Sequence, residues 1–312
     1  MRTAGRVIAI VGPTASGKSQ LADEVASRLH TSVISVDSMQ VYRGMDIGTA
    51  KTPMAERKVP LEMVDVADVG TDFSVQMFQE MARGCADKLL SQGQVPVLCG
   101  GTGLYLDAVI DEMDFPKGQT NGETRRRYEE IASSQGGEKL FSMLMERDPE
   151  SAHLIHPNNV RRVVRALEML DEGTSYAVHH RGLKAHTPHY DALIFGISRP
   201  REQLYERIDR RVDQMFDDGL VSEVEGLLAR GLRESTTACQ AIGYKEVVAY
   251  LDGSCSLEEC RDTIKTRSRR YAKRQLSWLR RDGRTRWIDM SSTSLDEAAC
   301  LVVSGLRGLG DN

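Results

Sequence analysis

The first apolar run of this chain is followed directly by the stretch Gly12-Pro13-Thr14-Ala15-Ser16-Gly17-Lys18-Ser19. It matches the pattern G-x-x-x-x-G-K-[ST], in which a glycine-rich loop joins a strand to a helix and holds phosphate groups. Residues 6–11 have the composition of a short buried strand, and residues 20–29 repeat apolar side chains at the spacing of a helical face. The motif is therefore flanked by the strand and the helix that it requires.

The chemistry of this loop predicts a ligand class. Glycines let backbone N–H groups surround phosphate oxygens, and the N-terminus of the following helix adds partial positive charge. Lys18 is expected to reach the terminal phosphates, and the hydroxyl of Ser19 is expected to ligate Mg²⁺. The sequence therefore predicts a site for a diphosphate or a triphosphate.

The order of strand and helix patterns predicts an α/β fold with a P-loop NTPase-like parallel sheet, helical crossovers and an inserted all-helical domain. Further strand patterns occur at residues 32–36, 95–99, 192–197 and 286–288, separated by helical patterns. Strand signals vanish between residues 113 and 189. We expect residues 1–112 and 190–312 to form the core, and residues 113–189 to form the helical insertion.

Composition is that of a globular protein, with 40% hydrophobic and 28% charged residues. No apolar run is long enough to span a membrane, and the residues before the first strand leave no room for a secretory signal peptide. The six cysteines are scattered and form no C-x-x-C pair. We therefore expect a cytoplasmic protein without membrane contact. The absence of a coiled-coil pattern favours a monomer.

A strongly basic segment stands out in a chain whose net charge is −4. Residues 261–286 contain eleven Lys and Arg, two Asp and no Glu, a net charge of +9, so the other residues carry −13. Most of this segment lies on a predicted helix, residues 257–281, which also carries Tyr271 and Trp278. A dense basic surface beside aromatic side chains is typical of contact with a folded RNA.

Two further positions follow predicted strands, where ligands of open parallel sheets bind. Asp37 ends the second strand and could hold Mg²⁺ through water, act as a general base, or merely cap the next segment. Thr102, in the turn Gly100-Gly101-Thr102-Gly103, could bond a phosphate, orient Asp37, or serve a tight strand-to-helix turn. Nucleotide hydrolases usually carry a magnesium-binding Asp near this turn, and its absence weakens an ATPase or GTPase interpretation.

Three arginines, Arg207, Arg210 and Arg211, lie on the helix predicted after the strand at residues 192–197. One of them could neutralise a departing diphosphate if this helix borders the pocket. A solvated helical face is the ordinary interpretation of such charges. The sequence does not separate Arg207 from Arg211 in this role.

At this point the chain closely resembles the bacterial tRNA dimethylallyltransferases, also called tRNA isopentenyltransferases. The most specific matching block is Ser35-Val36-Asp37-Ser38-Met39-Gln40-Val41-Tyr42-Arg43-Gly44-Met45-Asp46-Ile47-Gly48-Thr49-Ala50-Lys51. The other blocks are residues 12–19, 100–105, 155–168, 240–244 and 271–278. They span nearly the whole chain in the expected order. The chain departs from the family at Leu61-Glu62, where two histidines are usual.

The resemblance implies transfer of a dimethylallyl group from dimethylallyl diphosphate to the N6 amine of the adenosine 3′-adjacent to the anticodon. Asp37 would be the general base, with Thr102 and Arg211 as catalytic helpers and Mg²⁺ assisting departure of the diphosphate from the loop Gly12 to Ser19. Contacts with the anticodon stem-loop of tRNA are implied for the following residues: Asp37, Ser38, Met39, Gln40, Gly103, Arg125, Arg161, Arg162, Val163, Val164, Arg165, Ile242, Gly243, Tyr244, Lys245, Arg274, Gln275 and Trp278. The adenine would have to leave its stack to be modified.

Two other functions share part of this pattern. A small-molecule kinase would have the loop and an Asp at the second strand end, but it does not need a basic helix. A non-enzymatic RNA-binding NTPase switch would need the magnesium-binding Asp that is missing after the third strand. Binding of tRNA that weakens steeply with salt separates the transferase from the kinase, because release of counterions accompanies contact with phosphates.

Overall fold

A computed structural model describes residues 4–115, 122–183 and 186–307 of the chain. In this part of the chain six parallel strands form one sheet in the order β3-β2-β4-β1-β5-β6. The strands are β1 Arg6–Val11, β2 Val33–Val36, β3 Leu61–Glu62, β4 Val97–Gly100, β5 Asp191–Ser198 and β6 Arg286–Asp289. The predicted α/β class with a parallel sheet is confirmed.

The central strand β1 is buried on both faces, which explains its continuous apolar sequence. Because side chains alternate along a strand, Val7, Ala9 and Val11 enter one hydrophobic cluster. Ile8 and Ile10 enter a second cluster. Each face of the sheet is thus covered by its own layer of helices.

The helices that pack with this sheet are α1 Lys18–Leu29, α2 Val75–Ser91, α3 Gly103–Ile110, α9 Arg201–Asp217, α10 Leu220–Leu228, α11 Tyr244–Leu251, α12 Leu257–Leu279 and α13 Leu295–Arg307. Helices α1 and α13 contribute buried side chains to the cluster around Ile8 and Ile10. The others contribute to the cluster around Val7 and Ala9. The hydrophobic core therefore lies in two layers, one on each side of the sheet.

The register of the sheet brings three strand ends together. Gly100 at the end of β4 pairs with Val11 of β1 on one side and with Val36 of β2 on the other. The phosphate loop, Asp37 and the glycine turn after β4 therefore begin in one row at the carboxyl edge of the sheet, where open parallel sheets bind ligands. This row is the frame of the candidate site.

Residues 112–187 form a second compact unit, and residues 1–111 with 188–312 form the first. The described helices of the second unit are α4 Glu123–Gln135, α5 Gly137–Arg147, α6 Pro149–Leu154, α7 Val160–Asp171 and α8 Tyr176–Leu183. Their own core contains Tyr128, Leu140, Leu144, Val163 and Leu167. The division falls within two residues of the boundaries expected at 113 and 189.

Several elements differ from the predicted ones. Strand β4 begins at Val97 and not at Val95, because Pro96 has no N–H group to donate to the ladder. The two-residue strand β3, formed by Leu61 and Glu62 at the sheet edge, was not expected. Helix α4 was also missed, since among its residues only Tyr128 is buried and its apolar periodicity is weak. Within the described residues no helix is both long enough and apolar enough to cross a bilayer.

Candidate active site

The phosphate loop has the backbone shape of an anion-binding nest. Ala15 (φ 60°) and Gly17 (φ 103°) lie in the left-handed region, and α1 begins at Lys18. Alternation of left- and right-handed residues turns successive N–H groups toward one point, and the first amides of a helix have no partner within it. The loop therefore presents donors to an anion at the end of β1.

Three cations donate hydrogen bonds to carbonyl groups of this loop. Lys18 Nζ donates to the carbonyl of Pro13 at 3.3 Å. Arg207 Nε donates to the carbonyl of Ala15 at 2.8 Å, and Arg199 Nε donates to that of Ser16 at 3.0 Å. These bonds fix the loop. Because Arg207 does not line the cavity, it acts on the loop from outside.

Arg211 occupies a different position from Arg207. It lines the cavity beside the loop, and its Nη1 donates to Thr14 Oγ1 at 3.0 Å while its Nη2 donates to the carbonyl of Thr49 at 3.3 Å. Its Nε is buried and has no hydrogen-bond partner among the residues that the structure describes. Burial lowers the pKa of Arg211 from its ordinary value, although an arginine of this kind stays protonated. Of the two arginines that the sequence left open, Arg211 is the one that faces the cavity.

The cavity carries an excess of positive charge. Burial lowers the pKa of Lys18, the neighbouring Arg211 cation lowers it further, and Cys99 and Asp37 act in the opposite direction. Two half-buried cations beside one carboxylate leave a net positive site, and unpaired charge is costly where water is partly excluded. An anionic ligand such as a diphosphate would relieve this cost.

Asp37 has the capping role that was considered for it. Its Oδ1 accepts hydrogen bonds from the backbone N–H groups of Met39 at 2.8 Å and Gln40 at 3.3 Å. Its Oδ2 makes no hydrogen bond with the described residues, and Asp37 lines the cavity. The capping role therefore occupies one oxygen and leaves the other available for chemistry.

The glycines after β4 are required by close packing. A Cβ atom at Gly100 would lie 1.9 Å from the carbonyl oxygen of Val36, and one at Gly101 would lie 2.2 Å from Gln275 Nε2. A Cβ atom at Gly103 would lie 1.9 Å from Trp278 Cδ1. Helix α12 thus rests directly on this turn. Thr102 precedes α3 and does not line the cavity, and its Oγ1 is buried without a hydrogen-bond partner among the described residues.

Gln275 links α12 to both loops. Its Oε1 accepts from the backbone N–H of Thr14 at 2.9 Å, and its Nε2 donates to the carbonyl of Gly101 at 3.0 Å. The side chain is 5% exposed. Trp278, three residues further on, is 39% exposed and donates from Nε1 to Asp107 Oδ2 at 3.0 Å. Gln275 therefore positions the phosphate loop, while Trp278 keeps an exposed aromatic surface.

The basic residues of α12 and its end divide into two groups. Four are engaged by carboxylates of neighbouring helices: Arg261 and Lys265 with Asp213, Arg267 with Glu246, and Arg269 with Asp209. The other group is exposed and forms no ion pair within the described residues, and we call it the open cation stripe. It consists of Arg270, Lys273, Arg274, Arg280 and Arg281.

Lys273 and Arg274 lie three and four residues after Arg270, which places these three on one side of α12, and Arg280 and Arg281 directly follow its last residue. Two guanidinium groups of the open cation stripe lie near aromatic rings. That of Arg274 is 5.7 Å from the ring centroid of Tyr271, and that of Arg281 is 5.8 Å from that of Trp278. The stripe has the cation and aromatic composition that RNA recognition uses.

A cavity of about 310 Å³ joins these parts within the first unit. It is lined on one side by Lys18, Ser19 and Asp37, and on another by Tyr271 and Arg274 of α12. Such a volume is in the range of small-molecule sites. A ligand in it would contact both the phosphate loop and the end of the open cation stripe.

Hard oxygen donors for a metal are present in the cavity lining, which includes the carboxylate residues Asp23 and Asp37. The Ser19 hydroxyl and the Asp37 carboxylate both line the cavity. No cluster of three His, Cys, Asp or Glu side chains suited to a metal occurs in the described residues. The thiol of Cys99 contacts the Ser19 hydroxyl, and burial raises the pKa of Cys99 to about 11, so this thiol is neutral near pH 7. A divalent ion here would need oxygens from a bound phosphate as well.

The predicted residues of the helical unit occupy two environments. Arg161 and Arg162 are exposed, whereas Val163 and Val164 are buried in the unit's own core. Arg125 Nε lies 3.2 Å from the carboxylate of Glu168, which is buried. Only the arginine heads at 161 and 162 are therefore openly available to a polyanion, and the others act within this unit.

Sequence reasoning missed one set of contacts. Glu223 on α10 binds the backbone at residues 46–48 and the hydroxyl of Tyr244. Tyr244 itself is fully buried, and Gly243 precedes α11. Gly48, within the most specific motif block, was the available signal, because a Cβ atom there would lie 2.4 Å from the Tyr244 ring.

Comparison with known proteins identifies the family. The model of the family described as IPP transferase matches residues 40–282, and that described as isopentenyl transferase matches residues 5–59. The chain belongs to the IPP transferase family. A tRNA dimethylallyltransferase of Halalkalibacterium halodurans is 44% identical over 305 residues, which cover 97% of each chain. One of Streptomyces avermitilis is 44% identical over 302 residues, which cover 96% of this chain and 95% of that one.

Solved structures of the family have the same fold. The crystal structure of a tRNA isopentenylpyrophosphate transferase from Bacillus halodurans aligns with a TM-score of 0.72 at 42% identity, over 97% of this chain and 96% of that one. A eukaryotic dimethylallyltransferase acting on tRNA aligns with a TM-score of 0.82 at 28% identity, over 98% of this chain and 79% of that one. The family and the enzyme class predicted from the sequence are confirmed.

Proposed function

We propose that this IPP transferase family member moves a dimethylallyl group from dimethylallyl diphosphate to the N6 amine of the adenosine 3′-adjacent to the anticodon of a tRNA. The observation that carries this proposal is that the phosphate loop, Asp37 and α12 all line the same cavity. A prenyl diphosphate needs the cations of the loop, and a nucleobase amine needs a base. Both are found in this cavity, beside a surface suited to RNA.

The reaction balances with the groups present. The N6 amine attacks C1 of the prenyl group, the bond from C1 to the diphosphate oxygen breaks, and the diphosphate leaves with the electron pair. Asp37 Oδ2, which makes no hydrogen bond with the described residues, takes the N6 proton, while Oδ1 stays bound to Met39 and Gln40. Base catalysis of this kind contributes about 10²–10⁴-fold.

The diphosphate in this proposal is held by the loop amides, Lys18 and Arg211. The hydroxyl of Thr102 would donate to the diphosphate or to Asp37, since it is buried and has no hydrogen-bond partner among the described residues. These donors are already fixed by hydrogen bonds of Arg211, Gln275 and Arg207. Preorganised charge of this kind is worth about 3–4 kcal/mol per donor.

Mg²⁺ belongs to this proposal as the ion that accompanies the diphosphate. Ser19 and Asp37 offer the hard oxygens that Mg²⁺ prefers, and phosphate oxygens would complete its shell. When bound, the ion would neutralise charge on the diphosphate. Ser19 would orient its hydroxyl toward it from the first turn of α1.

The tRNA would lie on the open cation stripe, with Trp278 and Tyr271 available for stacking. Arg161 and Arg162 of the helical unit would add phosphate contacts. Ser38, Met39, Gln40, Ile242, Gly243 and Lys245 stay proposed contacts near the adenosine. Gly103, Gln275 and Tyr244 would support tRNA binding through the loops that they shape, because their own contacts are internal. We further propose that the enzyme acts as a monomer in the cytoplasm.

The direct test is a transfer assay. Purified protein, Mg²⁺ and unmodified tRNA are incubated with dimethylallyl diphosphate or with ATP, and the nucleosides are separated by mass spectrometry. We expect an adenosine that carries one five-carbon unit, formed only with the prenyl donor. Turnover of ATP stimulated by a small metabolite, without a modified nucleoside, would favour the kinase.

The open cation stripe makes a prediction about salt. The double variant Lys273→Ala/Arg280→Ala should bind tRNA more weakly and should lower the slope of log affinity against log salt by about 0.7–0.9 for each lost phosphate contact. Filter binding or fluorescence anisotropy at several salt concentrations measures this slope.

A charge-matched control is Arg210→Ala/Arg233→Ala. These arginines are exposed but paired with Glu206 and Asp252. The control changes the net charge of the protein equally, so its slope should stay at the wild-type value. Equal slopes for both double variants would mean that the stripe does not contact phosphates.

A further inference from the structure

The carboxylate of Glu223 gathers four donors from two distant parts of the chain. Its Oε2 accepts from the backbone N–H groups of Asp46 at 2.9 Å and Ile47 at 2.7 Å. Its Oε1 accepts from the N–H of Gly48 at 3.2 Å and from the hydroxyl of Tyr244 at 2.6 Å. Hydrogen bonds to a charged acceptor are the strong ones, so this group fixes the loop 46–48.

Tyr244 closes the arrangement from the other side. It is fully buried, and its ring lies where a side chain at position 48 would be, with a Cβ atom at Gly48 only 2.4 Å from Tyr244 Cε2. Burial and the Glu223 charge raise the pKa of the Tyr244 phenol above its ordinary value, so it stays a neutral donor. The motif around Gly48 and the motif that ends at Tyr244 thus meet at Glu223.

The loop held in this way carries groups that reach the cavity. The carbonyl of Thr49 accepts from Gln40 Nε2 at 3.2 Å and from Arg211 Nη2 at 3.3 Å. Gln40 is held at its other end by the Ser35 hydroxyl at 2.8 Å, and Gly48, Thr49 and Ala50 line the cavity. The carbonyl of Thr49 therefore holds both the Gln40 side chain, near Asp37, and Arg211, beside the phosphate loop.

We propose that Glu223 is a positioning residue for the transfer reaction, acting through the loop 46–49 on Gln40 and Arg211. This inference rests on the proposed function. Glu223 itself does not line the cavity. A displacement of about 1 Å at reacting groups can cost about 10²-fold in rate. Loss of the hydrogen bonds from the loop 46–48 to Glu223 should therefore reduce turnover although no reacting group is altered.

The first variant is Glu223→Gln, which keeps the shape but replaces one accepting oxygen by a donor. We expect kcat of transfer to fall by about 10–100-fold. Tyr244→Phe removes a single donor and should shift kcat in the same direction by a smaller factor. The control Tyr190→Phe removes a buried phenol that donates to Asp87 at 2.6 Å, and it should leave kcat unchanged.

A mutant cycle separates positioning from general destabilisation. If Glu223 acts through Thr49 on Gln40, the variant Glu223→Gln/Gln40→Ala should lose less activity than the product of the two single losses. A loss equal to that product, or an unchanged kcat in Glu223→Gln, would overturn the inference.

Wild-type protein in the same assay tests the proposed function separately. Absence of transfer by the wild type would refute the proposed function, and not the hydrogen bonds by which Glu223 holds the loop 46–48. If Glu223→Gln fails to fold, the cycle is measured with Tyr244→Phe, for which the same two outcomes decide.

Discussion

Asp37→Asn is expected to lower kcat of transfer by about 10²–10⁴-fold while tRNA affinity stays within a few-fold. The amide keeps an acceptor for the N–H groups of Met39 and Gln40, so the turn after β2 should remain intact. Only the basic oxygen is lost. Single-turnover transfer with both substrates bound measures the chemical step directly.

The same variant separates two chemical roles of Asp37. Its carboxylate lies near Lys18 and Arg211 and counteracts the effect of burial on the pKa of both. If Asp37 acts as a base only, removing its charge should leave pyrophosphate affinity equal or higher, with or without Mg²⁺. If Asp37 holds the metal, pyrophosphate affinity should fall in the presence of Mg²⁺ and not in its absence.

A structural role for Asp37 has its own signature. Asp37→Ala removes the acceptor as well, so it should lose transfer and also lower the melting temperature relative to Asp37→Asn. If both variants unfold alike, or if Asp37→Asn retains wild-type kcat, Asp37 is not the base and the proposed mechanism is wrong.

The sheet and the loop were predictable because their causes are local. A buried strand of consecutive apolar residues, a G-x-x-x-x-G-K-S loop and an amphipathic helix each leave a signal within about a dozen residues. Short helices such as α6 and α11 leave weaker signals. Strand β3 has only two residues, and its place is set by pairing with β2, which the sequence does not display.

The candidate site was predictable as a set of positions but not as a set of contacts. Asp37 was expected to be a base, a metal ligand or a cap. Only the structure assigns its Oδ1 to the turn and leaves Oδ2 open. Glu223 lies about 175 residues from the loop that it holds, and nothing local marks that pairing. Long-range hydrogen bonds of this kind depend on the finished fold.

The charge that α12 exposes also depends on contacts that the sequence does not display. Eleven Lys and Arg between residues 261 and 286 predict a polyanion surface. Asp209 and Asp213 on α9 form ion pairs with some of these cations. Glu246 on α11 pairs with one more, Arg267. The exposed cations without an ion pair in the described residues are those of the open cation stripe, two of which lie near Tyr271 and Trp278. Sequence counts therefore overstate the number of phosphates that α12 can contact.

Arg211 offers the second large effect. Arg211→Met should lower kcat by about 10²–10³-fold, because one preorganised donor to a developing charge is worth about 3–4 kcal/mol. Arg211 lines the cavity and bonds both Thr14 and Thr49. Its buried Nε has no hydrogen-bond partner in the described part of the chain and would be a further donor for the departing diphosphate. Steady-state kinetics with dimethylallyl diphosphate measure the loss.

Arg207→Met is the matched control on the same helix. Among the described residues Arg207 bonds only the carbonyl of Ala15, and it does not line the cavity, so its replacement should change kcat by a few-fold at most. Arg211→Lys sharpens the comparison, because a lysine lacks the two-donor fork and loses its proton more readily when buried. Its deficit relative to the wild type should therefore grow as the pH rises. Equal losses in Arg207→Met and Arg211→Met would show that α9 acts on the loop as a whole, and that Arg211 has no separate role toward the leaving group.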